Sequence, residues 1–535
     1  MRAAPEVHLA PRSTVRLHAP HRALGCVLLA AATAAGCSHA ASRPAPQPPE
    51  RTAESHRPTA PPRADFKLSA DDEAFLEDLS RRSFRFFWDE ADPETGLVRD
   101  RARTDGSPHP RAQNIASIAS VGFGLSGMCV AAERGWLPRA PLIARARATL
   151  RFFAEQQEHH RGWFYHFVNL RSGAREWKSE LSSIDTALLV AGVLTVRQCF
   201  EEDAEIVRQA RTIFRRIDFR FMLAEHPTLL SMGWRPESGF IKSRWDHFCE
   251  LMILYVLGLG SPTTPLPVES WAAWERPLFS YGPYRYVHRP PALFVHQFAH
   301  AWIDFRGLHD PVPPQPDWFA NAQVATYAQR QFMLDLSGEF PGYGEQVWGL
   351  TSSDSRGGYR GWGGPPRQKE MDGTVVPCAP AGSLMLTPEI ALPALREMHR
   401  RFGDRIYGRY GFADAFHPTD GWVNPDVIGI DVGITLLSAE NLRGGSVWRW
   451  FMANDEVRRG IRRAGLRRSG SRGLASSRPL EELGQDPAAR PLDEVVEGAA
   501  VLGRLGVDEP GLPAGRPRLE HQARSRIDRA RGADR

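Results

Sequence analysis

From Asp71 onward the chain sets apolar residues at helical spacing: Phe75, Leu76, Leu79, Phe84 and Phe87 share one face. The same period predicts further helices near 114–134, 139–157, 181–200, 203–218, 243–258, 318–336, 388–402, 430–441 and 446–458. Some are apolar nearly all round, as Leu251-Met252-Ile253-Leu254-Tyr255-Val256-Leu257 is, which marks helices buried on every side. Between them run Gly-, Pro- and Trp-rich stretches such as Trp348–Pro366 and Tyr410–Pro425, too long for the connections of a plain bundle. About ten helices, in pairs roughly fifty residues apart, suit an all-α toroid of helical hairpins. Its loops would gather at one rim and carry the chemistry.

The aromatic residues bound this unit. No Phe, Trp or Tyr precedes Phe66 or follows Phe451, and all 15 Trp lie between Trp88 and Trp450. One large domain over 66–460 follows, and 535 residues with 42% hydrophobic content can supply its core. The Pro/Ala-rich stretch 38–65 reads as a disordered linker, and the Arg-rich 461–535 as a disordered tail. The formal net charge is +5, but its excess sits in the two ends and leaves the body at roughly −3. That balance excludes a nucleic-acid partner.

Arg16 and Arg22 precede the apolar run Leu24–Ala35, which leads into Ala34-Ala35-Gly36-Cys37. Residues 1–37 thus resemble a bacterial lipoprotein signal, with Cys37 as the acylated first mature residue. An ordinary secretory signal cut near the alanines is the alternative. Either form exports the protein; the first anchors it by lipid to a membrane of the cell envelope, in the periplasm or at the outer membrane. The remaining cysteines lie far apart with no CxxC pair, so neither a zinc ribbon nor a redox motif is present.

Three stretches carry candidate chemistry. In Trp177-Lys178-Ser179-Glu180-Leu181-Ser182-Ser183-Ile184-Asp185, Ser182 or Ser183 caps a helix. Glu180 then lies at its mouth and Asp185 in its first turn. Such acids also serve simply to compensate the helix dipole, but a neighbouring Trp177 offers a ring for a pyranose face. In Trp245-Asp246-His247-Phe248-Cys249-Glu250, the two acids stand i, i+4 on one expected helix face. Glu250 enters an apolar run, where burial raises a carboxyl pKa and suits a general acid; a buried Glu paired to Arg244 is the plainer account. His296, His300 and Asp304 share a face if their stretch is helical, yet no HExxH base accompanies them. Sugar hydrogen bonding or core packing is therefore expected there, with no metal and no cofactor.

The loops add Trp348, Asp354, Tyr359, Trp362 and Trp422, together with Asp431 between glycines at a helix start, where it also fits a plain N-cap. Aromatics and acids in such number suit a neutral polyol, which offers hydroxyls to hold and ring faces to cover. No Walker A loop, GxSxG elbow or dinucleotide fingerprint occurs.

Taken in order, Ser261-Pro262-Thr263, His296–Gly307, Trp348-Gly349-Leu350-Thr351-x-x-Asp354 and Asp372-Gly373-Thr374 resemble a known family. Tyr410-Gly411-Phe412-x-Asp414-Ala415-Phe416 and Gly429-Ile430-Asp431-x-Gly433 continue the series. It is the glucoamylase-like domain family that includes the bacterial endo-β-1,2-glucanases of glycoside hydrolase family 144, related to a domain of cyclic β-1,2-glucan synthases. The resemblance covers about residues 70–460. It implies an (α/α)6 toroid and an endo-acting, inverting hydrolase of β-1,2-glucan that needs no metal. Glu180, Glu250 and Asp431 then match the catalytic acids, without a division between acid and base. Trp177, Asp185, Asp246, His296, His300, Trp348, Asp354, Tyr359, Trp362 and Trp422 become the expected substrate contacts. The expected partners are a glucan oligo- or polysaccharide and the lipid anchor, with the protein a monomer. The alternatives are a glucoamylase-like hydrolase of α-glucan and a non-catalytic carbohydrate-binding lipoprotein; a lyase would need groups to neutralise a uronate.

Overall fold

The computed structural model describes residues 66–289 and 291–468; the signal segment 1–37 with Cys37, the linker 38–65 and the tail beyond 468 lie outside the described residues. In chain order the helices are α1 (Ala70–Asp89), α2 (Ile118–Glu133), α3 (Arg139–Glu155), α4 (Ser183–Cys199), α5 (Ala204–Arg216), α6 (Met252–Gly260) and α7 (Phe298–Trp302). They continue with α8 (Trp318–Asp335), α9 (Cys378–Gly382), α10 (Pro388–Phe402), α11 (Gly429–Arg443), α12 (Ser446–Met452) and α13 (Asp455–Ala464).

Burial sorts them into two rings. Helices α2, α4, α6, α7, α9 and α11 are buried along nearly their whole length, as their all-round apolar composition requires. Helix α2 packs on α4 and α4 on α6, while α9 packs on α11 and α11 returns to α2. The amphipathic helices lie outside: α1 on α11 and α2, α3 on α2, α5 on α4, α13 on α6 and α10 on α9. Helix α8 packs against the turn Leu293–His296 that leads into α7. The result is an (α/α)6 toroid. Helix α12 touches α2, α4, α7 and α11 at once, a position that lies across one end of the ring.

Two helix crossings depend on glycine. A Cβ on Gly192 of α4 would sit 2.1 Å from the Gly122 carbonyl oxygen of α2, and one on Gly122 would sit 2.2 Å from the Leu188 oxygen. The α6–α13 crossing repeats the device: a Cβ on Gly460 or Gly260 would sit 2.0 Å from the Val256 or Glu456 carbonyl oxygen respectively. Backbones meet there directly, so no side chain can give way.

Three expectations change. The helix expected over 243–258 begins only at Met252. Before it, the backbone is spent elsewhere: Trp245 N–H donates to the Leu230 carbonyl, Phe248 N–H to the Glu275 carbonyl, and Glu275 N–H to the Asp246 carbonyl. Asp246 and Glu250 therefore do not share a helix face. The run 446–458 splits into α12 and α13. Ordered chain also passes the expected boundary at 460, because α13 runs to Ala464 and Arg467–Arg468 pair antiparallel with Leu308–His309. The short inner helices α7 and α9 escaped the periodicity, since five residues are too few to display it.

What positions the site is the entry to the inner helices. A short strand precedes three of them: Ile115–Ser117 before α2, Leu181–Ser182 before α4 and Asp426–Ile428 before α11. These pair with Phe167–Asn169, Gly233–Arg235 and Arg101–Arg103 respectively. Loop residues are thereby brought to the N-terminal end of the ring.

Gly192→Ala is expected to lower the urea midpoint of unfolding, at a cost of about 1–3 kcal/mol from overpacking. Gly338→Ala, where an added Cβ meets nothing within 4 Å, should leave the midpoint unchanged.

Candidate active site

At the N-terminal end of the ring lies a cavity of about 240 Å³. Glu250, Asp185 and Asp431 line it, with Asp100, Arg101 and His166; Phe167, Trp177 and Tyr359 add aromatic surface, and Ile184, Leu188 and Phe298 an apolar floor. The acids reach it because each stands where an inner helix begins. Asp185 and Asp431 lie in the first turns of α4 and α11, and Glu250 stands two residues before α6. Ser182 caps α4 by accepting from Asp185 N–H at 3.2 Å, and its hydroxyl donates back to the Asp185 carboxylate.

Glu250 is 3% exposed and has no ion-pair partner among the described residues. Burial pushes its carboxyl up to about 7, and the nearby Asp185 adds to the effect. Asp431, 6% exposed, is also pushed up to about 7 by burial, although hydrogen bonds from Asp414 and Cys378 favour its ionised form. Both acids can therefore gain or lose a proton near neutrality.

The opposite state holds around His166. Burial alone would lower its pKa, but the charges of Asp185 and Glu180 overcome it and hold the imidazolium to about 9. Its Nδ1 lies 3.2 Å from Glu180 Oε1 and its Nε2 3.5 Å from Asp185 Oδ1. Its ring stacks on Phe167 with centroids 3.8 Å apart. Arg235 donates to the other Glu180 oxygen at 3.2 Å. Against the penalty of burial, these partners hold Glu180 below the usual carboxylate range. Glu180 is not among the residues that line the cavity: it stands against His166, doubly paired.

The other expected contacts divide. Trp177 stands at the cavity, 40% exposed, on a loop where it and Lys178 both adopt left-handed φ values of 52° and 49°. Arg175 braces that strained turn by donating to the Lys178 and Ser179 carbonyls and to Glu237. Tyr359 reaches the cavity from the hairpin Ser353–Ser355/Gly358–Arg360, where Asp354 is its cross-strand partner. Asp354 pairs with Arg101 at 2.8 Å, just behind the wall. Trp362 is buried and donates to Ser353 Oγ at 2.9 Å, pinning the hairpin rather than facing substrate. Trp348 is core, and Trp422 packs under Arg356.

Asp246, His296 and His300 do not contribute to the cavity lining. Asp246 turns outward and binds its neighbour His247 at 2.6 Å. His296 and His300 sit in the core, the first 3.0 Å from His288 and the second 3.1 Å from the Trp318 carbonyl. Burial holds both imidazoles neutral. Asp304 pairs with Arg306 at 2.6 Å. Among the described residues no cluster of His, Cys, Asp or Glu could hold a metal.

Sequence reasoning missed Arg101 and Phe167, which open the short strands Arg101–Arg103 and Phe167–Asn169, and Asp100 and His166, which stand just before them; segments this short carry no periodic signal. The aromatic run Trp163-Phe164-Tyr165-His166-Phe167 is the one trace of them that the chain displays.

Residues 242–455 match the family described as "Putative glucoamylase". An exo β-1,2-glucooligosaccharide sophorohydrolase (non-reducing end) of Parabacteroides distasonis is 25% identical over 432 residues, or 73% of this chain. The chain spans 58% of that relative's length. A solved structure of the family's description from Bacteroides uniformis superposes with a TM-score of 0.68 at 27% identity, covering 75% of this chain and 99% of that one. An endo-β-1,2-glucanase from Chitinophaga pinensis, 24% identical, shares the fold with a TM-score of 0.69 over 75% of this chain and 99% of its own.

Because a buried Glu250 favours the protonated form, folding pulls its pKa above the unfolded value of 4.5 and weakens the fold as pH rises through 7. Glu250→Gln is therefore expected to raise stability at pH 8 by up to about 3 kcal/mol and to change it little at pH 4, as read from denaturant midpoints.

Proposed function

We propose that this protein is an endo-acting, inverting glycoside hydrolase of β-1,2-glucan. The observation that carries the reading is that Glu250 and Asp431, two buried carboxyls poised near neutrality, line one aromatic-walled cavity. Glu250, buried and without an ion-pair partner among the described residues, is the general acid that protonates the departing glycosidic oxygen. Asp431 is the base that takes a proton from the attacking water. Phe167, Trp177 and Tyr359 cover the sugar faces, while Asp185 and Arg101 hold hydroxyls. The ionised Glu180 fixes His166 and so shapes the wall without touching the reacting bond.

The linkage is supported by the ordered motif series and by the Parabacteroides relative, whose printed activity is on β-1,2-glucooligosaccharides. That relative acts from a chain end, so the distribution of products decides the mode: internal cleavage gives a ladder of oligosaccharides from the first minutes, chain-end cleavage a single disaccharide. The family's description favours a second reading, hydrolysis of α-1,4-glucan; release of sugar from starch but not from β-1,2-glucan would establish it. We also propose that the protein is exported, acts as a monomer and is held to the cell envelope through acylated Cys37, which the run Leu24–Ala35 before it supports. Cys37→Ser should abolish incorporation of labelled fatty acid.

With linear β-1,2-glucan as substrate, Glu250→Gln and Asp431→Asn are each expected to lower kcat by at least about a thousandfold, while quenching of tryptophan fluorescence by oligosaccharide survives. Proton NMR of the first product should show the α-anomer, because inversion at a β-linkage yields it. Full turnover in either variant removes that residue from the mechanism.

A further inference from the structure

Between the strands Phe167–Asn169 and Leu181–Ser182 the chain sets its residue types against its backbone. Residues 176–179 form a tight turn, closed by the Ser179 N–H donating to the Glu176 carbonyl at 3.0 Å. Its two central residues, Trp177 and Lys178, both have left-handed φ, 52° and 49°. Gly, Asn and Asp dominate such turns, because a larger side chain is strained there. A bulky aromatic followed by a lysine keeps this conformation only where the surroundings enforce it. The side chain that benefits is Trp177, which the turn carries to the cavity.

Arg175 supplies the enforcement. Its Nε donates to the Ser179 carbonyl at 2.5 Å and its Nη2 to the Lys178 carbonyl at 2.6 Å, so one planar group grips two successive carbonyls of the turn. The guanidinium also forks onto Glu237, with Nη1 to Oε1 at 2.5 Å and Nη2 to Oε2 at 3.1 Å. Glu237 stands in the connection of the hairpin Gly233–Arg235/Gly239–Phe240, whose Arg235 holds Glu180. The guanidinium lies over the Tyr165 ring, 4.8 Å from its centroid. A fixed fork of donors is needed for all of this, and lysine does not provide one.

Other bonds attach only the ends of the turn: Glu176 accepts from Asn169 at 3.0 Å, and Ser179 Oγ donates to the Phe167 carbonyl at 3.0 Å. The Trp177 ring meets that of Phe167, centroids 5.0 Å apart, and Phe167 lines the same cavity.

We propose that Arg175 is a positioning residue for substrate: by locking the strained 176–179 turn to the neighbouring hairpin through Glu237, it fixes the Trp177 ring where a pyranose face lies. This rests on the reading of Trp177 as a sugar contact. Arg175 does not line the cavity, so its loss weakens ground state and transition state alike, which moves KM and spares kcat.

On linear β-1,2-glucan, Arg175→Gln and Trp177→Ala are each expected to raise KM about five- to tenfold, the worth of one aromatic stack, with kcat within about twofold of wild type. The double variant should be no worse than Trp177→Ala alone, because the brace then has no ring to present. Multiplied losses in the double variant, or a fall in kcat as large as the rise in KM, overturn the proposal. Glu237→Ala, a change at an exposed side chain, covers poor folding of Arg175→Gln. It should raise KM in the wild-type background and not in Trp177→Ala; an unchanged KM, or a rise that persists without Trp177, overturns the proposal.

Limited trypsin digestion needs no substrate. Lys178 is exposed at the centre of the turn, so cleavage after it, scored by mass, reports how often the turn opens. That cleavage should quicken at least about tenfold in Arg175→Gln. An unchanged rate overturns the proposal through the brace, and an unchanged KM in Trp177→Ala overturns it through the sugar contact. If the wild type leaves β-1,2-glucan intact while trypsin behaves as expected, the fault lies in the choice of glucan and not in the brace.

Discussion

Burying a carboxyl costs free energy unless a cation or several donors meet it, and this molecule buries more of them at one end of its ring than it has cations to meet. His166 and Arg235 serve Glu180, His166 also serves Asp185, and Arg101 serves Asp100 and Asp354. Glu250, Asp414 and Asp431 are left over, with no salt bridge among the described residues, and burial raises the pKa of all three. Their solution is to hold protons, and a carboxyl that holds a proton at neutral pH can give it away. The division of labour in the cavity follows from this unequal supply of positive charge.

The toroid makes the arrangement possible. Helices apolar on every side can be buried only by a second ring outside them, and glycine at the α2–α4 and α6–α13 crossings lets backbones meet without intervening side chains. A rigid inner ring presents several helix starts to one end. Acids placed in those first turns then converge although they are far apart in the chain. The polar strand-and-loop segments have to lie at that end, because the inner ring has no room for unpaired backbone.

The fold was largely legible, since inner and outer helices differ in composition: Leu251–Leu257 is apolar throughout, whereas Ala204–Arg216 buries one stripe. The site was legible only in part. Asp431 and Glu250 stand beside strong local signals, a helix start between glycines and an apolar run. Glu180 carried an equally strong signal, but its role depended on His166 and Arg235, which reach it from loops through pairings that no local pattern reveals. The helical reading of 243–251 failed for the same reason: its hydrogen bonds run to Leu230 and Glu275, far along the chain. Local spacing identifies which residues sit at element starts; what neutralises them is decided by tertiary contacts.

The most direct test of the account is the pH dependence of kcat/KM on β-1,2-glucan for the unmodified protein. With Glu250 protonated and Asp431 ionised as the active form, and both carboxyls near 7, the profile should be a narrow bell centred close to neutrality. A flat profile from about pH 5 to 9, or one limb alone near pH 4, would contradict the claim that two buried acids, both pushed up to about 7, do the work.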